Sequence, residues 1–80
     1  MEDYIVLKGR SGLEYYDQSG NGYFIDSELY AGGEYDYAIY VDSIKSKEYT
    51  PLEDKKIQEI INRVLCLCKE RKMKPKVFNV

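Results

Sequence analysis

The chain has 80 residues and a formal net charge of −2, with 44% hydrophobic and 32% charged residues. This length makes one domain, residues 1–80, and the composition is too apolar for a disordered chain. No apolar run approaches the roughly 20 residues of a membrane span, and no charged-then-apolar leader opens the chain. We therefore expect a cytoplasmic protein that does not bind membranes, and the acidic net charge argues against direct binding to nucleic acid.

Four predicted strands come before one predicted helix. The β-rich runs cover residues 4–8, 13–18, 23–30 and 37–44, and glycine-containing turns separate the first three from their successors. Asn21-Gly22, between the second and third runs, is typical of a tight hairpin turn because both residues tolerate positive φ. A last run, residues 76–80, follows Pro75 and is expected to join the sheet as a strand.

The predicted helix covers residues 50–73. Thr50-Pro51-Leu52-Glu53 has the pattern of a capping box with proline at the first helical position. Apolar residues then recur at helical spacing and predict one buried face. They are Leu52, Ile57, Ile60, Ile61, Val64, Leu65 and Cys68.

Together these elements predict the α+β class: a four-stranded antiparallel meander, one amphipathic helix packed on one face, and a short C-terminal strand joining the sheet. Strand alternation assigns the two faces of the sheet. The side facing the helix takes Leu13, Tyr15, Ile25, Leu29, Tyr37, Ile39 and Val41, and the other side takes Glu14, Tyr16, Asp26, Glu28, Tyr40 and Asp42.

The chemistry of the chain argues against an enzyme and against a metal or cofactor site. There is no histidine, so the usual general base near neutral pH is missing. Cys66 and Cys68 lie two residues apart on a predicted helix, about 200° around its axis, so their thiols diverge. Asp26 and Glu28 share a strand face and are candidates for a glycosidase pair, but alternating acids are typical of a solvated strand.

Charge and tyrosine content favour a protein partner instead. Residues 1–54 carry twelve acidic and four basic side chains, whereas residues 55–80 carry two acidic and eight basic ones. Nine tyrosines are an unusual number, and tyrosine is common at protein interfaces. The sequence predicts a binding surface for a basic protein at Tyr16, Asp26, Glu28, Glu34, Asp36, Tyr40 and Asp42. The acidic loop before the helix, Glu48–Asp54, is the competing location.

Three stretches resemble the immunity protein 74 family of bacterial polymorphic toxin systems. They are Gly9-Arg10-Ser11-Gly12-Leu13-Glu14-Tyr15, Phe24-Ile25-Asp26-Ser27-Glu28 and Tyr40-Val41-Asp42-Ser43-Ile44-Lys45, and an Ile-rich helix with a short terminal strand follows. The resemblance implies that the protein binds and neutralises a cognate toxin domain, frequently a nuclease with a basic substrate groove. An acidic, tyrosine-bearing surface suits such a groove.

Two alternatives remain open at this point. One is a small non-enzymatic regulatory or scaffold module that associates with itself through an exposed sheet edge. The other, ranked last, is a carboxylate-dependent hydrolase. The expected oligomeric state is a monomer or a weak homo-oligomer.

Overall fold

The computed structural model of the protein describes residues 2–9, 12–29 and 33–78. Several predicted features fall partly outside these ranges. They are the end of the third strand at Tyr30, the end of the last strand at residues 79–80, and the turn residues 10–11 and 31–32.

Within the described ranges the chain forms seven strands, a 3₁₀ turn and one α-helix. In chain order these are β1 (Tyr4–Leu7), β2 (Leu13–Tyr16), β3 (Gly22–Ile25), β4 (Ser27–Leu29), β5 (Tyr37–Tyr40), the 3₁₀ turn (Val41–Ser43), β6 (Lys45–Ser46), α1 (Asp54–Glu70) and β7 (Pro75–Phe78). One sheet has the antiparallel order β1-β2-β3-β6. A second sheet has the order β4-β5-β7, in which β7 runs parallel to β5.

The predicted α+β class is confirmed, with a four-stranded antiparallel sheet, one helix and a C-terminal strand. The fourth strand is β6, however, and the predicted strand 37–44 ends at Tyr40 in the second sheet. The cause is that the two paired segments differ in length. Phe24 pairs with Lys45 and Ser27 pairs with Ile39, but two residues lie between Phe24 and Ser27 whereas five lie between Ile39 and Lys45. The excess forms the 3₁₀ turn opposite Asp26, where the predicted strand 23–30 divides into β3 and β4.

The predicted Asn21-Gly22 turn is wrong, although the β2–β3 hairpin forms. Gly22 is already the first residue of β3 and pairs with Tyr16, and the positive φ of +89° falls on Gly20. Asp17 explains the shift, because its Oδ1 accepts hydrogen bonds from the amides of Ser19 and Asn21, both at 2.9 Å. A side chain that satisfies two loop amides favours a longer turn over the two-residue one.

The predicted helix start at Thr50 is also wrong. The α-helix begins at Asp54, its N-cap is Glu53, and no side chain caps it. The predicted buried face is confirmed at its centre, since Ile60, Ile61, Val64 and Cys68 are buried. The helix is therefore held by packing against the sheets rather than by a capping box.

The core lies between that helix face and the inner sides of both sheets. Its members are Ile5, Leu13, Tyr15, Tyr23, Ile25, Tyr37, Ile39, Ile44 and the four buried helix residues. Val41 packs against this core from the 3₁₀ turn. Leu29 was predicted to face the helix but is 66% exposed. It is the last described residue of β4, which is an edge strand of the second sheet.

An ion pair ties the N-terminal segment to the helix. Arg63 donates to both carboxylate oxygens of buried Asp3, at 2.6 and 2.7 Å, and the Tyr15 hydroxyl donates to the same carboxylate at 2.9 Å. The hydrogen bonds from Arg63 hold the pKa of Asp3 below its ordinary value. Burial, aided by the bond to Asp3, raises the pKa of Tyr15.

We expect Ile61→Ala to lower the free energy of unfolding by about 2–5 kcal/mol, because it empties space under the helix. Thr50→Ala should change it by less than about 0.5 kcal/mol, because Thr50 is exposed and makes no hydrogen bond within the described ranges. Urea unfolding of both variants measures the difference. A large cost at Thr50 would show that it caps the helix after all.

We expect Asp3→Asn to cost roughly 1–3 kcal/mol at pH 7, because Arg63 and Tyr15 lose a charged acceptor. The folded pKa of Asp3 is lowered, so the carboxylate stabilises fully above its unfolded pKa of about 3.9. That contribution is lost as the pH falls through the folded pKa. Urea unfolding at pH 7, 5 and 3 should therefore show wild type and variant converging in acid. A constant difference would contradict the assignment.

Candidate functional site

The sheet surface opposite the helix, which we call the outer face, bears both polar and aromatic side chains. Its members are Tyr4, Val6, Glu14, Tyr16, Phe24, Asp26, Glu28, Tyr40, Lys45, Lys47, Lys76 and Phe78. The alternation places them there because their strand neighbours Ile5, Tyr15, Tyr23, Ile25, Ser27 and Ile39 are buried. Registers align Tyr4 with Tyr16 and Gly22, and Val6 with Glu14, Phe24 and Lys45.

A first aromatic cluster lies on the four-stranded sheet. The rings of Tyr4 and Tyr16 stack with centroids 5.0 Å apart, and Tyr4 is 43% exposed. The Lys47 ammonium lies 4.8 Å from the centroid of Tyr16 and 5.2 Å from that of Phe24, which is 39% exposed. Lys47 and Tyr16 lie across Gly22, where a Cβ would come within 2.8 Å of the lysine chain. The missing side chain therefore lets these two residues lie flat on the sheet.

Glu14 anchors this cluster at its centre. The Tyr16 hydroxyl donates to Glu14 Oε1 at 2.8 Å and accepts a short hydrogen bond from Lys47. Lys47 and Lys8 form ion pairs with the Glu14 carboxylate at 3.4 and 3.9 Å. The bond from Tyr16, supported by Lys47, holds the pKa of Glu14 below its ordinary value. The network fixes two rings and a cation in one arrangement before any partner binds.

A second aromatic cluster lies on the three-stranded sheet. Phe78 packs against Tyr40 with centroids 6.0 Å apart and against Tyr35 at 5.6 Å, edge to face. The Lys76 ammonium lies 5.3 Å from the centroid of Tyr35 and 5.5 Å from that of Phe78. In both clusters, therefore, one lysine ammonium lies over two neighbouring aromatic rings.

An acidic hollow of about 300 Å³ lies at the bend between the two sheets. Its lining residues are Gly12, Asp26, Ser27, Glu28 and Tyr40. Asp26 is held to the 3₁₀ turn and to β5 through its backbone: its amide donates to the Ser43 hydroxyl at 2.8 Å, and its carbonyl accepts from the Tyr40 amide at 3.0 Å. Its carboxylate is left exposed at the mouth of the hollow.

Gly12 keeps one wall of this hollow open. Its φ is +90°, and a Cβ there would overlap the carbonyl oxygen of Ile25. A side chain at this position would meet backbone that has no room to move. The close approach of the start of β2 to the end of β3 therefore requires glycine.

Three of the seven predicted site residues, Asp26, Glu28 and Tyr40, line this hollow together. Tyr16 is on the same outer face but belongs to the first aromatic cluster, where it contacts Glu14 and Lys47. The other three lie elsewhere: Glu34 is exposed ahead of β5, and Asp42 is exposed on the 3₁₀ turn rather than on a strand. Asp36 has a structural role, because its Oδ1 accepts from the Lys74 amide at 2.7 Å and its amide donates to the Lys74 carbonyl at 3.0 Å.

Sequence reasoning missed Tyr4, Phe24 and Lys47. The alternation that placed Tyr16 outward also places Tyr4 and Phe24 outward, since Ile5 and Ile25 point into the core. That signal was available in the sequence. Lys47 was not predictable, because its position over two rings depends on the 3₁₀ turn that brings β6 beside β3.

The remaining candidate groups are the two cysteines. Cys66 is exposed and Cys68 is buried, as their helical spacing predicted, and burial raises the pKa of Cys68 to about 11. In the part of the chain that the structure describes, no cluster of three or more His, Cys, Asp or Glu side chains is placed to hold a metal ion. No helix in the same part is long and apolar enough to cross a membrane.

Comparison with known proteins found no matching family model, no matching curated protein and no matching solved structure.

We expect Lys47→Met to raise the pKa of Glu14, because the variant keeps the apolar stem but removes a cation that stabilises the carboxylate. Lys45→Met is the matched control: it removes the same charge from the same face, but Lys45 makes no ion pair within the described ranges. A carbon-13 NMR titration of the Glu14 carboxyl group measures both. An unchanged Glu14 pKa in Lys47→Met would contradict the network.

Proposed function

We propose that this protein is an inhibitor of the immunity type, which binds a cognate bacterial toxin domain in the cytoplasm and covers its basic substrate groove. It acts by stoichiometric binding through the outer face, without catalysis. The observation that carries the proposal is the distribution of aromatic residues. Both phenylalanines, Phe24 and Phe78, lie on the outer face, whereas three tyrosines are buried in the core.

Folding alone favours the opposite distribution. A buried tyrosine needs a partner for its hydroxyl, and here Asp3 serves Tyr15 and Ser27 serves Tyr37. A phenylalanine needs none, and burying one fully is worth about 1.5–3 kcal/mol. Rings on an outer sheet face, next to one another and fixed by lysines, are the anchors that protein interfaces use.

The acidic hollow supports a basic partner. Asp26 follows Phe24 by two residues on one side and is hydrogen-bonded to Tyr40 on the other, so the hollow lies between the two aromatic clusters. A lysine or arginine side chain entering it would meet the carboxylates of Asp26 and Glu28 against the Tyr40 ring. A nuclease groove, which is basic because it binds phosphates, presents such side chains.

Self-association through a sheet edge is the alternative, and two of the edge strands, β1 and β7, offer it less support. Arg71 donates to the carbonyl oxygen of Ile5 at 2.8 Å, which places the end of the helix against edge strand β1. At one edge of the three-stranded sheet, β7 begins with Pro75, which has no amide hydrogen, and continues with the exposed Lys76. Proline and lysine on an edge strand oppose pairing with a second copy.

The double variant Asp26→Lys with Glu28→Lys should slow association with the toxin domain by about ten- to a hundredfold at low ionic strength. The effect should shrink at physiological salt, where exposed charges are screened beyond about 8 Å. The proposal implies a toxin gene next to this one, and stopped-flow binding to an inactive variant of its toxin domain measures the rate. Protection of a cell exposed to the active toxin should be lost in parallel.

The matched control is Glu59→Lys with Glu70→Lys, which makes the same charge change at exposed positions of the helix. It should leave the association rate within about twofold of wild type. If both double variants slow association equally, net charge and not the acidic hollow governs binding. If wild type does not bind the toxin domain at all, the proposed function is wrong.

A further inference from the structure

One aromatic side chain outside the outer face lies mostly in solvent. Tyr49 is 81% exposed, and its backbone is left-handed, with φ of +58°. Non-glycine residues adopt this conformation in only a few per cent of cases, and glycine or asparagine suits it better. The backbone shape itself has a local purpose: it ends the turn in which the Tyr49 amide donates to the Ser46 carbonyl at 2.9 Å. The ring does not.

The only other non-glycine residue with positive φ in the described ranges is Lys72, at +63°. It lies just after the helix, where the Lys72 amide donates to the Lys69 carbonyl and the Met73 amide to the Cys68 carbonyl. A left-handed residue is the usual way to end a helix. Lys72 is thus explained by helix termination, and a long polar side chain is at no disadvantage in water there. An exposed tyrosine ring in the same conformation remains unexplained by folding.

The loop that carries Tyr49 is continuous with the outer face. It separates two hollows, one of about 370 Å³ and one of about 260 Å³. Tyr16, Gly22 and Lys47 of the outer-face region line the larger hollow, together with Glu48 and Thr50 of the loop. A partner seated on the first aromatic cluster therefore reaches the loop without crossing a gap.

The charge of this loop matches the partner already proposed. Residues 48–54 contain the carboxylates of Glu48, Glu53 and Asp54 and no basic side chain. None of the three carboxylates forms an ion pair or a side-chain hydrogen bond within the described ranges. They lie on both sides of Tyr49 in sequence, and all three residues are exposed.

We infer that Tyr49 is a principal anchor for the toxin domain: its ring inserts into a pocket on that protein, and the flanking carboxylates meet basic side chains at the pocket's rim. This inference rests on the proposed function and extends its binding surface from the outer face to the loop. A tyrosine that is 81% exposed, in a backbone conformation that costs the free protein stability, has the properties of an interface hot spot. The turn at Ser46–Tyr49 already orders the backbone that carries the ring, which reduces the backbone entropy lost on association.

The experiment uses a pair of matched variants, Tyr49→Asn and Lys72→Asn. Each places asparagine, which tolerates positive φ, at a left-handed position, so both should melt at or above the wild-type midpoint. Binding should separate them. With the same inactive toxin domain as the probe, Tyr49→Asn should raise Kd at least tenfold through faster dissociation, and Lys72→Asn should leave Kd within twofold.

Tyr49→Phe serves as the rescue variant and should bind within about threefold of wild type, because the ring carries the contact. Equal binding by wild type and Tyr49→Asn would overturn the inference. The proposed function would still stand if the Asp26→Lys with Glu28→Lys variant associates more slowly than wild type. A fall in the melting midpoint of Tyr49→Asn would also overturn it, since the ring would then support the fold. Failure of wild type to bind the toxin domain would overturn both.

Discussion

The whole structure depends on one packing contact, between a single face of α1 and the inner sides of two sheets. The described residues form one α-helix, and it covers one side of the sheets. Val64 and Cys68, both wholly buried, lie on that helix face, and Ile39 faces them from the three-stranded sheet. Because a small chain buries only about 60% of its unfolded surface, the opposite side of the sheets must remain in water. The exposure of the outer face therefore follows from the short chain. The types of residue on that face are what bear on function.

The hydrogen bonding of buried polar side chains shows why the residues on the outer face are informative. Among the described residues, no buried side-chain nitrogen or oxygen lacks a hydrogen-bond partner. Tyr15 and Tyr37 reach this state only because Asp3 and Ser27 are buried beside them. A core built on phenylalanine would need neither partner and would not require Arg63 to neutralise Asp3. Stability alone favours phenylalanine at these buried positions, so the exposed Phe24 supports the proposed role of the outer face in binding.

Alternation along strands and the spacing of apolar helix residues predicted most of the fold, because burial on one face constrains both patterns along their whole length. The errors concern features that one local contact decides. Thr50 to Glu53 has the letters of a capping box, but the helix begins later. The Asp17 carboxylate overrode the Asn21-Gly22 turn by satisfying two amides. The 3₁₀ turn at Val41–Ser43 is only three residues long, too short to show a repeating pattern of apolar residues. Neither the division of the sheet nor the position of Lys47 over Tyr16 could therefore be predicted.

The in-out alternation of strand side chains predicted the site residues that lie on strands. It did not predict the positions of Asp42, on the 3₁₀ turn, and Glu34, ahead of β5. Asp26, Glu28 and Tyr40 come together because the bend at Asp26 brings the two sheets against each other. A standard interface covers about 800 Å² of each partner. The protein exposes 5515 Å², so such an interface would cover roughly one seventh of its surface. An area of that size requires more than the hollow alone, and the two aromatic clusters with the adjoining Tyr49 loop extend the surface on both sides. A bound partner also stabilises the folded state by mass action, which offsets the cost of displaying phenylalanine and a left-handed tyrosine in a domain this small.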